Sequence, residues 1–188
     1  MAAPPHHSGR VSAPLLTFGH GTADQERMVE LLTGAGVALL VDVRRFPGSR
    51  RHAHVAREEM ERWLPAAGIE YRWEPRLGGR RRRPADDDGA PDDSWWQVPA
   101  FRAYAAHTRT AEFREAMDDV VGAARERTVA VMCSETVWWR CHRRLISDVA
   151  VLLRDLPVSH LGHDGRLSAH RPSAGARVTP DGLVYDGG

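Results

Sequence analysis

Lysine and asparagine are both absent from this chain of 188 residues. Without lysine there is no Schiff-base amine, no pyridoxal phosphate anchor and no Walker-A phosphate loop. Without asparagine a papain-like Cys-His-Asn set is excluded. All 26 basic residues are arginine, a bias that a G+C-rich genome produces by itself, so arginine number is no argument for phosphate binding. Net charge is only +1, which gives no global drive toward nucleic acid or membrane. No apolar run approaches the roughly 20 residues of a membrane span. The first ten residues hold no hydrophobic segment of the secretory type. The expectation is a cytoplasmic protein with no membrane partner, whose two cysteines are thiols rather than a structural staple.

What is present is 42% hydrophobic and 27% charged, the balance of one globular domain with a proper core. A first buried strand is expected at 14–18, and residues 37–41 are a continuous apolar run of the kind found in strands buried on both faces. A further strand is expected at 69–73, another at 129–133 and a last one at 157–161. Between them lie helical periodicities: Met28, Leu31, Leu32 and Ala35 keep i, i+3, i+4, i+7 spacing behind a Thr22–Gln25 capping box. Helices are expected at 57–66, near 100–107, at 110–126 and from about 141. Strands alternating with helices imply an α/β fold: a single domain with a mainly parallel sheet flanked by helices. A flexible tail is expected at 1–13, the domain at 14–172 and an irregular tail at 173–188. Residues 75–99 form a long loop rich in arginine and aspartate, expected as a lid over the rim where the strands end.

That rim gathers His20, Asp42, Arg44, Cys133 and Glu74, each just after an expected strand. The densest chemistry is Cys133-Ser-Glu135-Thr-Val-Trp-Trp-Arg140-Cys141-His142-Arg143, a strand end, a short loop and a helix start. In an open α/β sheet the crevice beyond the strands' carboxyl ends is where ligands bind. Cys133, Glu135, Cys141, His142 and His20 are therefore the candidate catalytic residues. Asp42, Arg44, Tyr71, Trp138 and Arg143 are the candidates for holding an anionic or planar small molecule. Cys141, beside Arg140 and Arg143 at a helix start, is the better candidate for a lowered thiol pKa. Cys133 emerges from an apolar strand and should be raised by desolvation. Read as a helical residue, His142 should point away from Cys141, about 100° round the axis.

Each feature has a plain structural alternative. A free cysteine is often a small core hydrophobe, Asp42–Arg44 could be a loop-holding ion pair, and the Trp95-Trp96 and Trp138-Trp139 pairs could simply pack. His52, His54, His160 and His163 read as surface histidines. Cys133, Glu135, Cys141 and His142 are chemically suited to zinc or iron, although their spacing lacks the paired Cys-x-x-Cys form. No cofactor motif is present. Arg80–Arg83 could contact nucleic acid, with the aspartates at 86–93 offsetting them. Three functions stay open: a thiol-dependent transferase, hydrolase or redox enzyme; a nucleic-acid-associated protein; and a metal-binding protein.

Thr17-Phe-Gly-His20-Gly, Asp42-Val-Arg44-Arg-Phe-Pro47-Gly-Ser-Arg, Leu77-Gly-Gly79-Arg, Met132-Cys133-Ser-Glu135 and Cys141-His142-Arg143 closely resemble, in order, the motifs of the domain of unknown function 488 family. The resemblance covers about residues 14–172 and implies an α/β fold. It maps that family's functional residues to Cys133, Glu135, Cys141, His142 and Arg143, and names no activity. Where the family's first motif reads Gly-His-Ser, this chain has Gly21, which removes a hydroxyl. A looser likeness to rhodanese-type domains is architectural only: Glu135 stands where an anion-cradling loop needs backbone amides.

Overall fold

The computed structural model describes residues 14–48, 52–82 and 93–187, and the tail expected at 1–13 lies outside them. Strand β1 (Leu15–Gly19) leads to helix α1 (Gln25–Gly34), β2 (Leu39–Asp42), α2 (Arg57–Ala66) and β3 (Glu70–Trp73). Helices α3 (Pro99–Thr108) and α4 (Ala111–Glu126) precede β4 (Val129–Cys133), α5 (Arg143–Arg154), β5 (Val158–Leu161) and β6 (Leu167–Ala169). The six strands form one sheet in the order β3-β2-β4-β1-β5-β6, parallel from β3 through β5 with β6 antiparallel at the edge. Among the described residues no helix is long and apolar enough to cross a membrane.

The continuous apolar runs have a direct cause: both sheet faces are covered. Leu15, Leu39, Val41, Val129 and Val131 face a layer made by α3, α4 and α5, with Phe113, Met117, Leu145 and Ile146. Leu16, Phe18, Leu40, Ala130 and Met132 face α1 and α2, with Met28, Leu32, Met60 and Leu64. Each fully buried side chain of this size contributes about 1.5–3 kcal/mol. The capping box expected at Thr22 is not formed. His20 O accepts from Ala23 N–H, which draws Thr22 into a turn, and the Asp24 side chain caps α1 through Arg27 N–H at 2.8 Å.

The topology sets where a ligand can enter. After β1 and β2 the chain crosses on the α1–α2 face, whereas after β4 it crosses on the α5 face. Neighbouring strands β1 and β4 thus send their connections to opposite sides, which opens a crevice at their carboxyl ends. Gly19 lies beside Cys133 in register, and His20 N–H donates to Cys133 O at 3.0 Å.

Beyond residue 172 the irregular tail gives way to a hairpin of β7 (Ala176–Thr179) and β8 (Gly182–Tyr185). Leu183 and Tyr185 are fully buried in the core layer over α3 and α5. A strand of four residues among glycines has too few alternations to announce itself, and packing supplies what propensity lacks.

Candidate functional site

Cys133 ends β4, and Cys141 follows a single 3-10 turn at Trp138–Arg140. Cys141 is extended (φ −125, ψ 153) and α5 begins only at Arg143, with His142 as its cap residue. The helical spacing that would separate Cys141 from His142 therefore does not apply. His142 Nδ1 lies 3.6 Å from Cys141 Sγ and 3.9 Å from Cys133 Sγ. Its Nε2–H donates to Val43 O at 3.3 Å, which leaves the Nδ1 lone pair toward the two sulfurs. The three donor atoms all lie within 4.8 Å of one another.

Both thiols are buried and free. The hydrogen bond they share holds Cys141 down, helped by the Arg143 guanidinium against the opposing effect of burial, to about 6. The same bond and burial push Cys133 up to about 11, with His142 pulling the other way. One proton is in effect divided between two sulfurs, and Cys141 is the more easily ionised. Arg143 is almost completely buried: Nε donates to Cys141 Sγ at 3.5 Å, and Nη2 donates to the carbonyl of Glu135. It ties the cysteine loop together and is not among the residues lining the adjoining cleft.

A cleft of about 390 Å³ opens beside Cys133, lined by His20, Arg44, Arg45, Phe46, His52, Gly79, Arg80, Cys133, Ser134 and His142 among others, with Cys141 behind it. Asp42 is fully buried and grips Arg44 with both oxygens, at 2.8 Å from Nε and 2.5 Å from Nη2. Tyr71 OH donates to the same carboxylate at 2.8 Å, so Asp42 and Tyr71 support Arg44 from below the cleft floor. Arg44 Nη1 donates to His20 Nε2 at 3.3 Å, while His20 Nδ1–H donates to Gly21 O. Burial and Arg44 push His20 down to about 4, so at neutral pH it is uncharged and its lone pair is engaged. In this geometry it positions Arg44.

Two candidates lie away from the sulfurs. Glu135 is exposed, and its carboxylate accepts from Val137 N–H within its own loop at 3.2 Å. Trp138 stacks on His160, with ring centroids 3.9 Å apart and planes 9° apart. His160, read as a surface residue, is buried there: Nδ1 accepts from Thr17 at 2.6 Å and Nε2–H donates to His170. His170 in turn donates to buried Asp148, which also accepts from Tyr185 OH at 3.0 Å. His163, also read as a surface residue, is half-buried and donates to Gly19 O.

Arg45, Phe46 and Gly79 enter the cleft without having been singled out from the residues' chemistry, and Arg80, read as a nucleic-acid contact, joins them. Their signal was the two glycine-containing motifs, at 42–50 and 77–80. A Cβ on Gly79 would stand 2.9 Å from His142 Nδ1, so only glycine lets this segment close over the imidazole. Gly21 has φ +52, and a Cβ there would meet Thr136 Oγ1 at 2.0 Å, so a serine at 21 would be excluded by this loop. Of the expected lid, residues 79–80 do reach the cleft. Its far end instead packs away from it: Trp96 is buried against Phe101 and Tyr185.

Neither a curated protein nor a solved structure matches the chain. Residues 24–150, well over half of it, match the family described as "Domain of unknown function DUF488", and the span runs from the cap of α1 through Cys133, Cys141 and His142 into α5. On that match the chain belongs to the DUF488 family.

Proposed function

We propose that Cys133, Cys141 and His142 hold a transition-metal ion, zinc first, and that the protein is an enzyme acting on an anionic small molecule in the cleft above it. The observation that carries this reading is His142: Nδ1 faces both sulfurs at 3.6 and 3.9 Å while Nε2 is tied to a backbone carbonyl. A tetrahedral zinc with Zn–S of about 2.3 Å and Zn–N of about 2.0–2.1 Å requires donors roughly 3.5–3.8 Å apart. Ligating histidines nearly always donate their second ring nitrogen to such a partner. Two thiolates and one imidazole make a three-ligand set, the arrangement of catalytic rather than structural zinc sites. The remaining position would open toward the cleft, because Cys133 and His142 are among its lining residues. Bound there, the ion would supply Lewis acidity toward a substrate oxygen or a water. Arg44, fixed by Asp42 and His20, would orient the substrate's negative charge. Glu135 has no place in this ligand set.

The test is metal analysis of protein purified without chelator or added metal, alongside Cys133→Ser, Cys141→Ser and His142→Ala. The expected result is about one zinc or iron per chain, lost in all three variants. Wild-type protein that arrives metal-free and takes up no zinc at micromolar concentration overturns the metal reading. The proximity of the two sulfurs, with Cys133 on the cleft, would then favour a thiol-dependent enzyme, to be followed by alkylation of each cysteine.

A further inference from the structure

The cleft beside Cys133 has a neighbour. A second hollow of about 500 Å³ adjoins it and shares Arg45 and Arg80 as walls, continuing along Arg81, Arg82, His107 and Thr110. No carboxylate lines either hollow among the described residues. Two of the five guanidiniums are offset: Arg44 by Asp42, and Arg81 by Glu112 at 3.6 Å. Among the described residues Arg45, Arg80 and Arg82 have no carboxylate partner, the aspartates at 86–88 and 92 lying outside those residues, and Arg45 Nη1 donates to Arg80 O at 3.3 Å. Arg80 is held in the left-handed region at φ 57, an uncommon conformation for a residue with a side chain, of the kind that gathers at functional sites. At the mouth of the first hollow Phe46 is 67% exposed, with the Arg45 guanidinium 5.6 Å from its ring centre. An exposed phenyl ring beside a file of arginines provides a stacking face and a charge track in one place.

We infer that the ligand of this surface is a planar-ring compound carrying two or more linked phosphate groups, such as a nucleoside diphosphate or a short single-stranded oligonucleotide. One small anion would engage only one hollow. Linked phosphates would present charge to both hollows, with the ring against Phe46. Guanidinium forks suit this ligand because they pair with phosphate oxygens in a bidentate way. The inference deepens the proposed reading of the cleft as a substrate site, but it does not depend on the metal.

The experiment is titration calorimetry of the purified protein with orthophosphate, pyrophosphate, ADP and an eight-residue oligothymidylate, repeated at several salt concentrations. Pyrophosphate and ADP should bind at least about tenfold more tightly than orthophosphate. Arg82→Ala and Arg80→Gly, the latter compatible with the positive φ, should each weaken ADP roughly tenfold without changing metal content or melting temperature. Phe46→Ala should weaken ADP and leave pyrophosphate unchanged. If the natural source is an oligonucleotide, oligothymidylate outcompetes ADP and its log K falls with log salt by about 0.7 per phosphate contact, a slope that Arg82→Ala reduces. If the source is a free nucleotide, ADP is the tighter ligand. Cys133→Ser separates the two proposals: it should lose metal yet keep pyrophosphate affinity. Orthophosphate binding as tightly as pyrophosphate, or affinity indifferent to both arginine variants, overturns the inference whatever the metal content.

Discussion

Gly79→Ala is the sharpest single perturbation of the site. The added methyl would stand 2.9 Å from His142 Nδ1 and 3.4 Å from Cγ and Cε1, and the ordinary contact range starts at 3.4 Å. The imidazole, or the 79–80 segment, must therefore shift by about half an ångström, against a ligand-distance tolerance of about 0.2 Å. Displacing the ring also lengthens an already long 3.3 Å bond to Val43 O and disturbs its contact with Tyr104, whose ring centre is 5.0 Å away. Losses of this supporting kind lower metal affinity about 10–100-fold, or roughly 1.4–2.8 kcal/mol. Stability should change little. Gly79 has no positive φ, so alanine fits the backbone, and the unfolded chain loses entropy worth about 0.4–1 kcal/mol. The assay is zinc competition against a chromophoric chelator, paired with thermal melts of the metal-free protein. Wild-type zinc affinity in Gly79→Ala would refute the placement of the metal on His142.

Other perturbations test the surrounding fold. Burial, His170 and Arg143 hold His160 at about 3 against 6.5 in the unfolded chain, so between these values the unfolded state binds the extra proton. Stability should therefore fall as pH drops below 6.5, by about 1–2 kcal/mol between pH 8 and pH 5 after allowing for solvent screening, and His160→Gln should flatten that fall in urea titrations. Asp42→Asn leaves the buried Arg44 unpaired and should cost roughly 3–5 kcal/mol by denaturant unfolding. Tyr185→Phe removes one donor from fully buried Asp148 and should cost about 1–3 kcal/mol, read as a lower melting temperature.

The fold was legible where hydrophobic runs are long. Residues 129–133 and 37–41 are apolar because layers of helices cover both sheet faces, and that pattern needs no partner to be read. The sulfurs' neighbourhood followed from a strand end facing a helix start. His142 did not, because its direction depends on whether the helix begins at 141 or 143, and a shift of two residues swings a side chain to the other side. Glu135 stood close to Cys133 in sequence, but the loop turns its carboxylate onto Val137 N–H. The buried chain from Thr17 through His160, His170 and Asp148 to Tyr185 joins residues far apart in sequence. No local pattern marks such a polar core, since its members are single polar residues on separate elements and His160 alone reads as a surface side chain.

That buried chain also ties the closing of the sulfur site to segments that follow it in sequence. Helix α5 carries Asp148 in its interior, and the groups that satisfy the carboxylate are His170, the Ser173 N–H and Tyr185, all made later. Until those groups pack, α5 cannot settle on the sheet without leaving a buried carboxylate unpaired, which costs free energy. In that interval the two sulfurs are open to oxidants and to any soft metal ion. Packing of β8 closes this window.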